Sequence, residues 1–68
     1  QELKQTALLL AERARTTGET QEIGPLNPYA RRIVHLAVAA EPQVSSESIG
    51  DAFLKTVLIS ASDVASNN

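Results

Sequence analysis

Apolar residues recur along the first stretch of the chain at helical spacing. Leu3, Ala7, Leu10 and Ala14 fall on one stripe. Ala, Leu, Glu, Arg and Lys dominate this stretch and are strong helix formers, so a helix is predicted over Leu3 to Arg15. Thr17-Gly18 ends it, with Gly18 suited to the left-handed position just past a helix. Leu9 lies off the stripe, among Gln5, Glu12 and Thr16. It is either a singly exposed apolar residue, which is common, or a contact for a neighbouring domain.

Beyond the glycine the pattern changes period. Gln21 to Gly24 can form a short strand around its one strongly apolar residue, Ile23. Pro25 and Pro28 bracket Leu26-Asn27. Asn27 is a good N-cap and Pro28 suits the first helical position. A second helix should therefore run from Pro28 to about Ala40, where Glu41-Pro42 stops it. Val44 to Ile49 reads as a strand with small polar residues on one face. Gly50-Asp51 signals a turn. Phe53 to Ser60, rich in branched and aromatic residues, is predicted as the partner strand, with Val57 and Ile59 on one face and Leu58 on the other. The residues from Ala61 to Asn68 are mostly small and polar and are expected to form a disordered tail. The order is helix, strand, helix, strand, strand, with both amphipathic helices covering one small sheet.

The second helix has an unusual wheel. Placing its residues at intervals of about 100° puts Tyr29, Ile33, Leu36, Ala37 and Ala40 at the centre of an apolar arc. Ala30, Val34 and Val38 widen that arc. The remaining stripe holds Arg31, His35, Arg32 and Ala39, and no acid falls between Asn27 and Ala40. A surface helix usually mixes charge signs, because pairs one turn apart stabilise it. This one forgoes them, so Arg31 and His35 are expected to project side by side into solvent. An arginine fork donates well to phosphate and its plane can stack on a base. The bland alternative is a solvated face, with Arg31 and Arg32 paired to Glu22, Glu41 or Glu47.

Composition narrows the function classes. The chain has 68 residues, which allows one domain. A domain of this size buries only about 60% of the surface its unfolded chain exposes, and a stability of roughly 3–5 kcal/mol is expected. It holds no Cys, so neither disulfides nor a thiolate zinc site can staple it; that absence fits a reducing cytoplasm. It holds no Met, and a segment of a longer protein is expected. No apolar run approaches the ~20 residues of a membrane span. The formal net charge of −2 argues against a generally basic nucleic-acid binder. Any cationic site must therefore be local.

Residues 27–35, Asn-Pro-Tyr-Ala-Arg-Arg-Ile-Val-His, resemble the signature of the R-three-H domain, a family named for an Arg and a His separated by three residues. Arg31 and His35 have that spacing. Leu10 to Gly18 resembles the family's first helix, Pro42 to Ser48 the segment after the second, and Val57-Leu58-Ile59 its last strand. The resemblance covers roughly residues 3–60 and is closest to the C-terminal R-three-H domain of bacterial Jag (SpoIIIJ-associated) proteins. It implies an α+β fold, a three-stranded antiparallel sheet carrying two helices, over residues 1–60. It also implies binding of single-stranded nucleic acid by Arg31, His35 and Arg32. RNA is favoured over DNA, because a KH domain precedes this one in Jag proteins. Two departures weaken the basic surface. Ala30 stands where relatives usually have a polar residue, and Lys55-Thr56 where they usually have an Arg-Arg pair.

An enzyme is not expected. The chain has one His, no Gly-rich phosphate loop, scattered acids and no visible catalytic constellation. Ser45, Ser46 and Ser48 read as strand and turn residues, distant from that His. Neither a cofactor nor a metal site is expected. The expected mechanism has Arg31, Arg32 and Lys55 on phosphates while His35 packs against a base or orients Arg31. Arg31→Ala should then weaken binding and leave the fold intact. The competing class is a protein-interaction module that keeps the fold with weakened nucleic-acid binding. Salt dependence separates the two, since phosphate contacts weaken steeply with salt and apolar docking does not.

Overall fold

Helix α1 spans Glu2–Thr17, strand β1 Gln21–Leu26, helix α2 Pro28–Ala39, strand β2 Val44–Ile49 and strand β3 Lys55–Ala61. This is a computed structural model, and it describes residues 2–62. The α+β order and the antiparallel three-stranded sheet are those expected. Strand β3 lies in the middle, between β1 and β2.

Helix α1 buries Ala7, Ala11 and Ala14, with Leu3, Leu8 and Leu10 packed partly against the core. Its last turn is closed by side chains and a glycine. Thr17 Oγ1 donates to the Arg13 carbonyl at 2.7 Å, and the Gly18 amide donates to the Ala14 carbonyl at 2.9 Å. Gly18 has φ +79°, the left-handed conformation expected of it. Leu9 is exposed.

Strand β1 continues past Gly24 to Leu26 through a register shift between Ile23 and Leu26. Gly24 makes the close approach possible. At φ +137°, a Cβ there would meet the Lys55 carbonyl oxygen at 3.0 Å and Thr56 Cα at 3.1 Å. The register then sets Leu26 opposite Lys55.

Strand β3 begins at Lys55, two residues later than the apolar pattern suggested. Phe53 and Leu54 belong to the loop after Gly50 and are exposed. The Phe53 carbonyl accepts from Arg31 and so does not enter the ladder. At the other end the strand runs further than expected. Ala61 pairs with Val44, and the Ser62 amide donates to the Gln43 carbonyl at 2.8 Å. These two residues are therefore not part of a disordered tail; residues 63–68 of that tail lie outside the described residues.

Side chains alternate across β3. Val57 and Ile59 are fully buried beneath the helices, and Leu58 faces the other way, flanked in register by Glu22 and Glu47. The core is completed by Val34, Ala37, Val38 and Val44. It holds no aromatic residue: Tyr29 and Phe53, the chain's single Tyr and single Phe, are both exposed.

Candidate nucleic-acid interface

Helix α2 starts where the sequence placed it. Asn27 Oδ1 accepts from the Ala30 amide at 2.8 Å, the Asn27 carbonyl accepts from the Arg31 amide at 2.9 Å, and Pro28 fills the first helical position. The cap fixes where each later side chain points.

The buried face of α2 is rotated from the expected one. Val34, Ala37 and Val38 are buried, Ile33 is half-buried, and Tyr29, Leu36 and Ala40 are exposed. The arc is apolar over most of the circumference, so its centre is set by the surface it meets. That surface is the core shared with the alanine stripe of α1 and with Val57 and Ile59 of β3, where Val34 and Val38 are fully buried. The cationic stripe rotates with the helix. Arg31 and His35 do not project freely into solvent; both are half-buried along the edge beside the sheet, and Arg32 alone of the stripe's three polar residues is exposed.

Arg31 spans three elements. Its Nε donates to the Leu26 carbonyl at 3.2 Å and its Nη2 to the Phe53 carbonyl at 3.1 Å. One guanidinium thus ties the start of α2 to the end of β1 and to the loop entering β3. Lys55 lies opposite Leu26 in the ladder and two residues after Phe53, in the same corner. By alternation it also falls on the face of β3 that carries Val57 and Ile59, the helix side.

His35 is clamped by β2. Its Nδ1 shares a hydrogen bond with Ser46 Oγ at 2.6 Å, and its Nε2 with Ser48 Oγ at 2.8 Å. A neutral imidazole donates at one nitrogen and accepts at the other, and each hydroxyl can do either, so both contacts are satisfied in either tautomer. The serines are not distant from the histidine, as the sequence suggested. They sit two apart on β2, opposite Val57 and Ile59 in register, and so share the helix-facing side. A strand that turns serines inward needs a polar partner above it, and that signal was available in the sequence.

Arg15 pairs with Glu12 and, at 3.8 Å, with Glu41. Among the described residues Arg31, Arg32 and Lys55 make no ion pair, so the alternative of pairing to Glu22, Glu41 or Glu47 does not hold. The first turn of α2 carries no acid either. The corner built from the end of β1, the start of α2 and the entry to β3 thus carries Arg31 and Lys55 without ion pairs among the described residues, on a chain of net charge −2 whose Asp51 lies in the loop entering β3.

The fold is a two-layer α+β module, and among the described residues no group of His, Cys, Asp or Glu is able to hold a metal ion. The family model of the R-three-H domain matches residues 1–60, and the chain belongs to that family. R-three-H domains are generally single-stranded nucleic-acid binding modules. No curated protein matched the chain. Among the described residues no helix is long and apolar enough to cross a membrane.

Proposed function

We propose that the chain binds single-stranded nucleic acid, RNA in preference to DNA, at the corner held by Arg31. The observation that carries this reading is that Arg31, Arg32 and Lys55, at the start of α2 and the entry to β3, make no ion pair among the described residues. Arg31 offers its other guanidinium N–H groups to a phosphate while two hold the backbone still. Arg32, exposed on the next position of the helix, and Lys55 on the strand extend the contact along a strand of phosphates. His35 supplies a half-buried ring at the edge of the path, and its double clamp fixes β2 beneath α2. The role is binding rather than catalysis. The imidazole's two nitrogens are both spent on serines of one strand, and no carboxylate among the described residues orients the ring.

The resemblance of residues 27–35 to Jag proteins supports a finer picture, in which the domain works beside a KH domain in a longer bacterial cytoplasmic protein. A site with so few cations binds weakly alone, with non-specific affinities of ~10⁻⁴ to 10⁻⁶ M. Tethering to a second RNA-binding domain raises the effective concentration and hence the avidity.

The test is a titration of the chain with a short single-stranded RNA at low salt, followed by amide chemical shifts. Shifts should concentrate at Arg31, Arg32, His35 and Lys55 and fade as salt rises. Flat shifts at these residues would refute the reading. Binding that persists unchanged at high salt would favour the protein-interaction alternative.

A further inference from the structure

The chain's one Phe and one Tyr both stay out of the core, with Phe53 71% and Tyr29 74% exposed. A small domain short of buried volume gains more than most by burying its rings. This core is instead assembled from Ala, Val and Ile. The two exposed rings are placed differently. Two residues along a helix turn through about 200°, so Tyr29 projects from the far side of α2 relative to Arg31. Phe53 lies in the cationic corner itself.

Its loop, from Gly50 to Leu54, is anchored at the phenylalanine. Arg31 Nη2 donates to the Phe53 carbonyl, and the same guanidinium holds the Leu26 carbonyl through Nε. Leu26 is the ladder partner of Lys55, the second residue after Phe53. The ring is therefore carried on backbone fixed by one unpaired cation and followed closely by another. An exposed aromatic ring on a loop held by one cation and followed two residues later by another suits the repeating chemistry of a single strand, in which charged backbone and flat bases alternate.

We propose that Phe53 is the base-stacking element of this interface. Its ring takes the face of an unpaired nucleobase while Arg31 and Lys55 hold the flanking phosphates. The proposal rests on the nucleic-acid reading above and deepens it. The ligand is a strand with accessible base faces, and a duplex, whose bases are covered by their neighbours, is a poor substitute. Every nucleobase presents a π-face, so stacking at Phe53 tolerates sequence.

The experiment compares two probes of equal length at low salt: an oligoadenylate, and an abasic ribose-phosphate strand. The wild-type chain, Phe53→Ala and Phe53→Trp are titrated with each, and their folds are compared by circular dichroism melts. Phe53→Ala should weaken oligoadenylate binding about ten- to a hundred-fold and leave abasic binding unchanged. Phe53→Trp should restore oligoadenylate binding. As the chain has no other Trp, its fluorescence should be quenched by oligoadenylate and not by the abasic strand. Phe53→Ala binding both probes like the wild type, or losing both equally, would overturn the proposal, as would an unquenched Trp. A wild-type chain that binds neither probe overturns the nucleic-acid reading itself, a result distinct from the others.

Discussion

Arg31 and Arg32 are sequence neighbours with opposite structural circumstances, and replacing each by Ala separates two roles that the sequence merges. Arg31 donates to two carbonyls on separate segments at 3.2 and 3.1 Å. Hydrogen bonds from a charged donor contribute ~1.5–3 kcal/mol each. These are longer than the ~2.7–2.9 Å of the strongest charge-assisted bonds, and the one to Leu26 is part-buried while the one to Phe53 is exposed, so the lower end applies with a further discount for solvent. Arg31→Ala should therefore cost about 2 kcal/mol, close to half the stability of roughly 3–5 kcal/mol expected for a domain this small. Arg32 is exposed and makes no such bond, so Arg32→Ala should stay within about 0.5 kcal/mol of the wild type. Toward a single strand the two behave alike. Each neutralised phosphate contributes a slope of about 0.7 in log affinity against log salt, and each variant should lose about that much. Urea unfolding by circular dichroism gives the stabilities, and anisotropy titrations of a labelled single strand across a salt series give the slopes. If Arg31→Ala is as stable as Arg32→Ala, the guanidinium does not staple the corner. If Arg32→Ala leaves the slope unchanged, Arg32 touches no phosphate. The structure here revises the expectation that Arg31 could be removed without consequence for the fold.

The histidine clamp makes a second prediction. His35→Ala should destabilise by roughly 1–2 kcal/mol, and Ser46→Ala or Ser48→Ala by about 1 kcal/mol each; double-mutant cycles pairing His35→Ala with either serine change should show coupling above ~0.5 kcal/mol in urea melts, and additive costs would mean the ring and hydroxyls do not interact. The core makes a third. Ile59 is fully buried in the central strand, so Ile59→Ala should cost about 2–5 kcal/mol and leave much of the chain unfolded, while Ile59→Val should cost about 0.5–1.5 kcal/mol and keep the fold; a cooperative melt of Ile59→Ala at the wild-type midpoint would contradict the core as described.

The element types and their order were legible because each segment's local chemistry agreed with its final state. Gly18, Asn27 and Pro28 announced helix ends through backbone preferences that no tertiary contact had to supply. The strand boundaries were less legible. The apolar content of Phe53 and Leu54 argued for strand. What keeps them out of the ladder is a long-range bond from Arg31, which no local pattern encodes. Ala61 looked like tail because it is small, yet it closes the ladder opposite Val44. Small residues carry little periodic signal in either direction.

The facing of α2 shows the limit most clearly, and it bears directly on the site. Its apolar residues cover most of the wheel, so pattern alone leaves the centre of burial free to move by one or two positions. Size suggested Tyr29, Ile33 and Leu36. Packing chose Val34, Ala37 and Val38, which are buried in one cluster with Ala7, Ala11 and Ala14, the small side chains of α1. Rotating the helix by that amount moved Arg31 and His35 from the middle of the solvent face to its border with the sheet. On the border, each side chain has a protein partner on one side and open space on the other. A fully exposed arginine would contact phosphate only after losing its side-chain freedom, at a cost of up to ~2 kcal/mol. Arg31 has already given up that freedom to Leu26 and Phe53. On the proposed function, the half-burial that departs from the simple wheel is what pre-organises the guanidinium for phosphate.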